Sequence, residues 1–198
     1  MSSGSRAAVF LDRDGTINEE VDYLSRPEDF KLISGAAAGM RELASSGYAL
    51  VVVTNQSGIA RGMFSEQRLE EIHARMIELL RAEQVELDDI EYCPHHPDED
   101  DDRYGVVCEC GKSKSGLLQQ AQQVLDIDLS RSWIVGDSMR DLEAGKRLGV
   151  EGVLVRTGKG AEVERSFDTA KRQLVRVAND LFGASQLILS SVERGSAR

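Results

Sequence analysis

The chain is short of cations, of long apolar runs and of cysteine, and each shortage excludes something. Its 198 residues carry 24 Lys plus Arg against 34 Asp plus Glu, a formal net charge of -10. Nucleic acids and anionic membranes recruit proteins through clustered Lys and Arg, so neither is expected as a partner, and only a local basic site remains open. The longest purely apolar run, Tyr48 to Val53, falls far below the ~18 residues that cross a bilayer. Met1 to Arg6 is small and polar with no apolar stretch behind it, so the expectation is no secretory leader and a cytoplasmic location. The sequence has no internal repeat, and neither coiled-coil heptads nor long exposed apolar strands point to obligate assembly, so a monomer is expected.

The scarce cysteines are informative. Cys93, Cys108 and Cys110 are the only three, they fall within 18 positions, and His95 and His96 share that window. An odd, clustered set is a poor disulfide framework and a plausible metal site in a reducing compartment. With 41% hydrophobic and 29% charged residues the chain has enough apolar surface for a core, and its length suits a single domain over residues 1–198.

Apolar runs alternate with helical patterns. Ala7 to Leu11 reads as a buried strand that breaks into Asp-Arg-Asp-Gly, and Ala36 to Ser45 reads as a helix with Met40 and Leu43 as anchors and Gly47 as its stop. Tyr48 to Val53 is a second buried strand. Ser65 can cap a helix to about Arg81, in which Leu69, Ile72, Met76 and Leu79 recur at spacings of three and four. Asp89 to Tyr92, Trp133 to Val135 and Gly152 to Val155 read as further strands, and Leu117 to Leu125 as a helix. This alternation predicts an α/β fold: a Rossmann-like, right-handed, mainly parallel sheet with helices on both faces. Asp98 to Asp102 reads as a solvated loop inside the Cys/His segment. The tail from Gly183 is ambiguous: Leu187 to Leu189 suits a short strand or helix, and Glu193 to Arg198 is expected to fray.

Chemistry concentrates at strand ends. Asp12 and Asp14 lie two residues apart, so in extended geometry both can face one site, where they repel unless a cation intervenes or one keeps its proton. Such a pair suits phosphoryl transfer, with one acid as nucleophile and metal ligand and the other as general acid and base; Asp-Gly is equally a common turn signal. Asp137 ends another buried strand and would complete an all-oxygen site of the kind that favours Mg2+. Asp141, one turn on, could orient that loop or a neighbouring Lys, or simply suit a helix N-terminus. Thr54, followed by Asn55, Gln56, Ser57 and Gly58, offers a hydroxyl and backbone N–H groups to phosphate oxygens, and Arg61 adds a cation that could equally be a surface residue.

Asp12-x-Asp14-Gly15-Thr16, strand-end Thr54, Lys112 and Gly136-Asp137-x-x-x-Asp141, in this order, resemble the four motifs of the haloacid dehalogenase (HAD) superfamily of phosphohydrolases, from about Ala7 to Gly160. Within it, Asn55-Gln56-Ser57-Gly58-Ile59-Ala60-Arg61-Gly62, Cys93-Pro94-His95-His96-Pro97 and Cys108-Glu109-Cys110 resemble the D-glycero-D-manno-heptose 1,7-bisphosphate 7-phosphatases, with the histidinol-phosphate phosphatases as near relatives. The resemblance implies a HAD fold with a small zinc-binding loop at about 93–110, no large cap, and a tail at about 183–198 outside the motifs. It implies removal of the 7-phosphate in the making of nucleotide-activated heptose for lipopolysaccharide core. Implied catalytic residues are Asp12, Asp14, Thr54 and Lys112, with Lys114 close enough to compete for the last role. Mg2+ falls to Asp12, Asp137 and the backbone carbonyl of Asp14, and Zn2+ to Cys93, His95, Cys108 and Cys110. Cys-x-His and Cys-x-Cys separated by a 12-residue loop agree with a closed tetrahedral shell, with His96 as the alternative fourth ligand. The partner implied is a small phosphorylated sugar, contacted by Glu20, Val21, Asp22, Tyr23, Thr54, Asn55, Gln56, Ser57, Gly111 and Lys112.

The chain departs from that pattern where the family usually has Arg-Lys-Pro, since Gly111-Lys112-Ser113 stands there. Glycine cannot supply the contact implied for the Arg with the sugar's far phosphate, so Arg61 or another cation is expected to contribute more. A non-catalytic zinc-ribbon module is the reading from a different class. It leaves Asp12, Asp14 and Asp137 unexplained, and Asp98 to Asp102 would oppose nucleic acid.

Overall fold

The computed structural model describes residues 5–196, and side chains as far as 192. The expectations for the first four residues and for Ala197 and Arg198 lie outside the described residues. Six strands, β1 (Ala8–Leu11), β2 (Ala49–Asn55), β3 (Asp89–Cys93), β4 (Trp133–Gly136), β5 (Glu151–Val155) and β6 (Arg176–Ala178), form one parallel sheet in the order β3-β2-β1-β4-β5-β6. The central strands are buried on both faces, as their unbroken apolar runs require, whereas the edge strands β3 and β6 are partly exposed.

Alternation along each strand divides the core in two. Val9 and Leu11 of β1, Leu50 and Val52 of β2, and Val135 of β4 face α1 (Ala36–Ser45), α2 (Glu66–Ala82) and α7 (Leu181–Ser196). Ala8, Phe10, Val51, Val53 and Ile134 face α3 (Gly116–Leu125) and α4 (Met139–Lys146). Helices therefore cover both faces, and no large cap occurs among the described residues.

Helix α2 starts where its cap predicts, with the Ser65 hydroxyl accepting from Arg68 N at 3.2 Å. Its fully buried last anchor is Leu80 rather than Leu79, which packs partly buried. The tail differs more from expectation. Leu187 to Leu189 lie inside one continuous helix, α7, that spans Leu181–Ser196, where a short strand or helix is expected. Leu181, Ala184 and Ile188 bury fully against the core, and a large aliphatic side chain stabilises by roughly 1.5–3 kcal/mol when so placed. Gly39 of α1 permits the approach, because a Cβ there would lie 2.7 Å from the Leu181 carbonyl oxygen. Two short helices, α5 (Gly160–Arg165) and α6 (Thr169–Leu174), join β5 to β6.

Candidate active site

Sheet order reverses at β1, whose chain continues to β2 on one side while β4 pairs on the other, and α/β sheets open a crevice at such a point. Leu11 is in register with both Val52 and Val135, and Asp12 N donates to the Val135 carbonyl at 2.9 Å. Asp12, Thr54 and Asp137 therefore emerge together at the carboxyl ends of three adjacent strands.

Lys112 enters this crevice from the Cys/His loop and makes ion pairs with Asp12 and, at 2.9 Å, with Asp141 Oδ1. The docking is specific: Lys112 N donates to Asn55 Oδ1 at 3.0 Å, and Asn55 Nδ2 donates back to the Lys112 carbonyl at 3.3 Å. Lys114 pairs instead with Glu109 and the Cys108 carbonyl, away from the crevice. Asp141 serves both duties its position suggested. It pairs with Lys112, and its Oδ2 accepts from Ser138 N at 3.1 Å and Ser138 Oγ at 2.7 Å, a capping box that starts α4.

Asp12, Asp137 and Asp141 place carboxylate oxygens within 4.8 Å of one another, all buried. Burial pushes the Asp12 carboxyl well above the usual range and Asp137 up to about 6. Burial alone would lower Lys112, but Asp12 and Asp141 hold its ammonium above its ordinary value. Three carboxylates against one ammonium leave an excess of two negative charges when all are ionised, which suits a divalent oxygen-preferring cation. Glycines shape the cradle. A Cβ on Gly15 or Gly158 would fall 2.3 or 2.2 Å from Asp137 Oδ2, and both adopt positive φ.

The Asp14 side chain is not in this carboxylate group. It is gripped by Arg13, whose Nη2 donates to Asp14 Oδ1 at 2.9 Å and Oδ2 at 2.7 Å, and by Asn18 Nδ2 at 3.0 Å. Burial would raise Asp14, but the Arg13 guanidinium and these donors outweigh it and hold the carboxyl below its ordinary value. Gln56 Nε2 donates to Asp14 Oδ2 at 3.0 Å and to Thr54 Oγ1 at 2.9 Å, joining the second acid to the strand-end hydroxyl.

A cavity of about 480 Å³ opens over these groups, lined by Asp12, Asp14, Thr54, Lys112 and Asp137 together with Glu20, Val21, Asp22, Tyr23, Asn55, Gln56 and Ser57. Two expected substrate contacts do not line it. Arg61 is engaged by Glu99 at 3.0 Å and His96 at 2.9 Å, and its guanidinium stacks 5.9 Å from the Tyr23 ring centre. Gly111 instead faces the thiols, where its Cβ would lie 3.8 Å from Cys108 Sγ. The lining cations absent from the expectation are Arg140 and Lys159. Arg140 sits between Asp137 and Asp141 in the fourth motif, and Lys159 follows Gly158 with its backbone N donating to Asp137 Oδ2 at 2.8 Å. Arg140 was readable from that position, whereas nothing in the sequence marks the β5 loop as part of the site.

Cys93, His95, Cys108 and Cys110 also converge within 4.8 Å. Cys93 and Cys108 sulfurs are 3.5 Å apart, His95 Nδ1 is 3.2 Å from Cys110 Sγ and 3.6 Å from Cys93 Sγ, and the cysteines are free thiols. Metal–ligand bonds of about 2.0–2.3 Å in a tetrahedron produce ligand separations of this order. Without a cation, burial and the Cys110 thiol push the Cys93 thiol upward, and a bound metal inverts that preference. His96 lies outside the group, against Arg61.

The HAD-hydrolase-like family description matches residues 109–184. A D-glycero-beta-D-manno-heptose-1,7-bisphosphate 7-phosphatase of Photorhabdus laumondii is 46% identical over 159 residues, covering 79% of this chain and 84% of that protein. The enzyme of the same name from Escherichia coli K12 is 47% identical over 153 residues, covering 77% and 80%. The crystal structure of D,D-heptose 1,7-bisphosphate phosphatase from B. bronchiseptica, complexed with magnesium and phosphate, superposes with a TM-score of 0.80 at 31% identity, covering 93% of this chain and 99% of that one.

Proposed function

The chain belongs to the D-glycero-beta-D-manno-heptose-1,7-bisphosphate 7-phosphatase family of HAD-like hydrolases, and on that premise we propose that it removes the 7-phosphate of this sugar bisphosphate as a phosphoric monoester hydrolase. The observation that carries the proposal is the meeting of Asp12, Asp137, Asp141 and Lys112 at the sheet's switch point, with Thr54 and Asp14 lining the same cavity.

In this reading Asp12 attacks phosphorus in line, the bond to the sugar oxygen breaks, and an aspartyl-phosphate forms on Asp12. Asp14, ionised beside Arg13, takes up a proton as the negative charge of the phosphate enters the cavity, gives it to the leaving sugar oxygen, then takes one from the water that hydrolyses the intermediate. The Thr54 hydroxyl and the Lys112 ammonium hold the phosphoryl oxygens, and Asp141 keeps Lys112 aligned. Asp12, Asp137 and the Asp14 carbonyl would hold Mg2+, with Asp141 beside them; when bound, the ion neutralises charge on the phosphoryl oxygens. Arg140 and Lys159 are the cavity cations that take the place of the missing Arg at position 111.

Cys93, His95, Cys108 and Cys110 would hold Zn2+ in a closed shell, a structural role that folds the loop carrying Lys112. The chain then works as one HAD unit and as a monomer, on a small phosphorylated sugar in the cytoplasm, in the supply of nucleotide-activated heptose for lipopolysaccharide core. No helix among the described residues is long and apolar enough to cross a membrane. A steady-state panel with Mg2+ tests the assignment. The heptose bisphosphate should exceed histidinol phosphate in kcat/KM, with phosphate released from C7. Preference for histidinol phosphate, or release from C1, would overturn it.

A further inference from the structure

Helix α2 buries a histidine in its otherwise apolar stripe. His73 lies between Ile72 and Met76 on the buried face, is 8% exposed, and meets the edge of the Tyr92 ring at 6.0 Å. Its Nε2 is 3.3 Å from Nη1 of Arg13, a guanidinium that is itself 1% exposed. Arginine only donates, so Nε2 must accept and Nδ1 must carry the ring proton. Burial, with the Arg13 charge beside it, pushes the ring down to about 3 and keeps it neutral at working pH.

A buried guanidinium is costly unless its donors are matched, and Arg13 directs its Nε and Nη2 at Asp14, in bonds of 3.2, 2.9 and 2.7 Å, while Nη1 meets His73. The fork fixes the plane of the Asp14 carboxyl from behind, with the carboxyl on the cavity wall. We propose that His73 and Arg13 form a buried positioning pair that orients Asp14 for proton transfer, so that His73, out of reach of substrate, sets how far the reaction tolerates a poor leaving group. This rests on Asp14 being the general acid.

The leaving group separates positioning from a general structural effect. A sugar alkoxide needs the proton in the transition state, whereas p-nitrophenolate leaves without it. His73→Met removes the acceptor at similar volume and, in rapid mixing that reads the first release of the leaving group ahead of hydrolysis of the aspartyl-phosphate, should slow release from the heptose bisphosphate roughly tenfold, part of the 10²–10⁴ a positioned acid supplies, with p-nitrophenolate release within about twofold. His73→Gln, whose amide oxygen can accept from Arg13, should recover most of the loss. Asp14→Asn is the reference and should show the same selectivity in larger measure in this first step, while hydrolysis of its aspartyl-phosphate slows alike for both substrates. If Asp14→Asn is selective but His73→Met lowers both substrates equally, or neither, the positioning inference is wrong while the acid assignment stands. If Asp14→Asn is itself unselective, the acid assignment fails and takes this inference with it. Should His73→Met not fold by its melting profile, Arg13→Lys, which loses the fork but keeps the charge, must show the same selectivity; an equal loss on both substrates would overturn the proposal.

Discussion

Replacing Lys112 by Met tests the electrostatic core of the site. The Lys112 side chain is 4% exposed, its ammonium pairs with Asp12 and lies 2.9 Å from Asp141, and its removal leaves three buried carboxylates within 4.8 Å and no countercharge among them. Breaking a buried ion pair by removing one partner costs about 3–5 kcal/mol, because the remaining charge stays desolvated. Protonation limits that cost. Asp12 and Asp137 already titrate above their ordinary range, and each further unit of upward shift corresponds to roughly 1.36 kcal/mol. The native variant then holds protons that the unfolded chain has released, so its stability must fall as pH rises from about 4 through the raised native values. Denaturant unfolding without Mg2+, at pH 5.5 and pH 8, measures this. The variant should trail the parent by about 3–5 kcal/mol at pH 8 and by clearly less at pH 5.5, and saturating Mg2+ should narrow the gap at pH 8. Equal stability at pH 8, or a gap independent of pH, would refute the reasoning.

Gly158→Ala sets a Cβ 2.2 Å from Asp137 Oδ2 at a φ of +55°, and calorimetry should show Mg2+ affinity reduced at least about tenfold. Gly149→Ala, with φ +75° and nothing within 4 Å of the new carbon, is the control; it should cost about 1 kcal/mol of stability and leave Mg2+ binding intact. Because Asp137 is raised to about 6, its proton competes with the cation below that pH. Asp12, the other carboxylate ligand, is raised as well, so Mg2+ affinity measured from pH 5 to 8 should climb with pH, and affinity flat across that range would contradict the assignment. Metal analysis should find about one zinc per chain in the parent and in His96→Ala, and a much lower content in His95→Ala. Zinc retained by His95→Ala and lost from His96→Ala would reverse the ligand choice.

The repeating parts of the fold are legible in the amino-acid sequence. Ala36–Ser45 forms as one helix over the residues its pattern indicates, and the strands at β1, β4 and β5 fall within a residue of their apolar runs, because burial on both sheet faces demands continuous hydrophobicity. The carboxylates are legible for a related reason: chemistry at the ends of parallel strands follows immediately after those runs. Long-range packing is not. Helix α7 is fixed by Gly39 and the core across more than 140 positions of sequence, and its own pattern does not name the partner. Arg61 shows the same limit from the other side. It stands in the right motif but is captured by Glu99 and His96, while Lys159 reaches the cavity through a loop whose composition carries no mark of function. His73 in an amphipathic stripe reads as core until its partner, Arg13, is located 60 positions away.

The central claim is covalent phosphoryl transfer at Asp12 in a cation-dependent site. Rapid quench of the enzyme mixed with Mg2+ and heptose bisphosphate labelled at the 7-phosphate is its most direct test. Protein-bound label that is labile to hydroxylamine should form and decay at rates compatible with turnover, and it should be absent from Asp12→Asn. Turnover with no protein-bound label, or label undiminished in Asp12→Asn, would contradict the account.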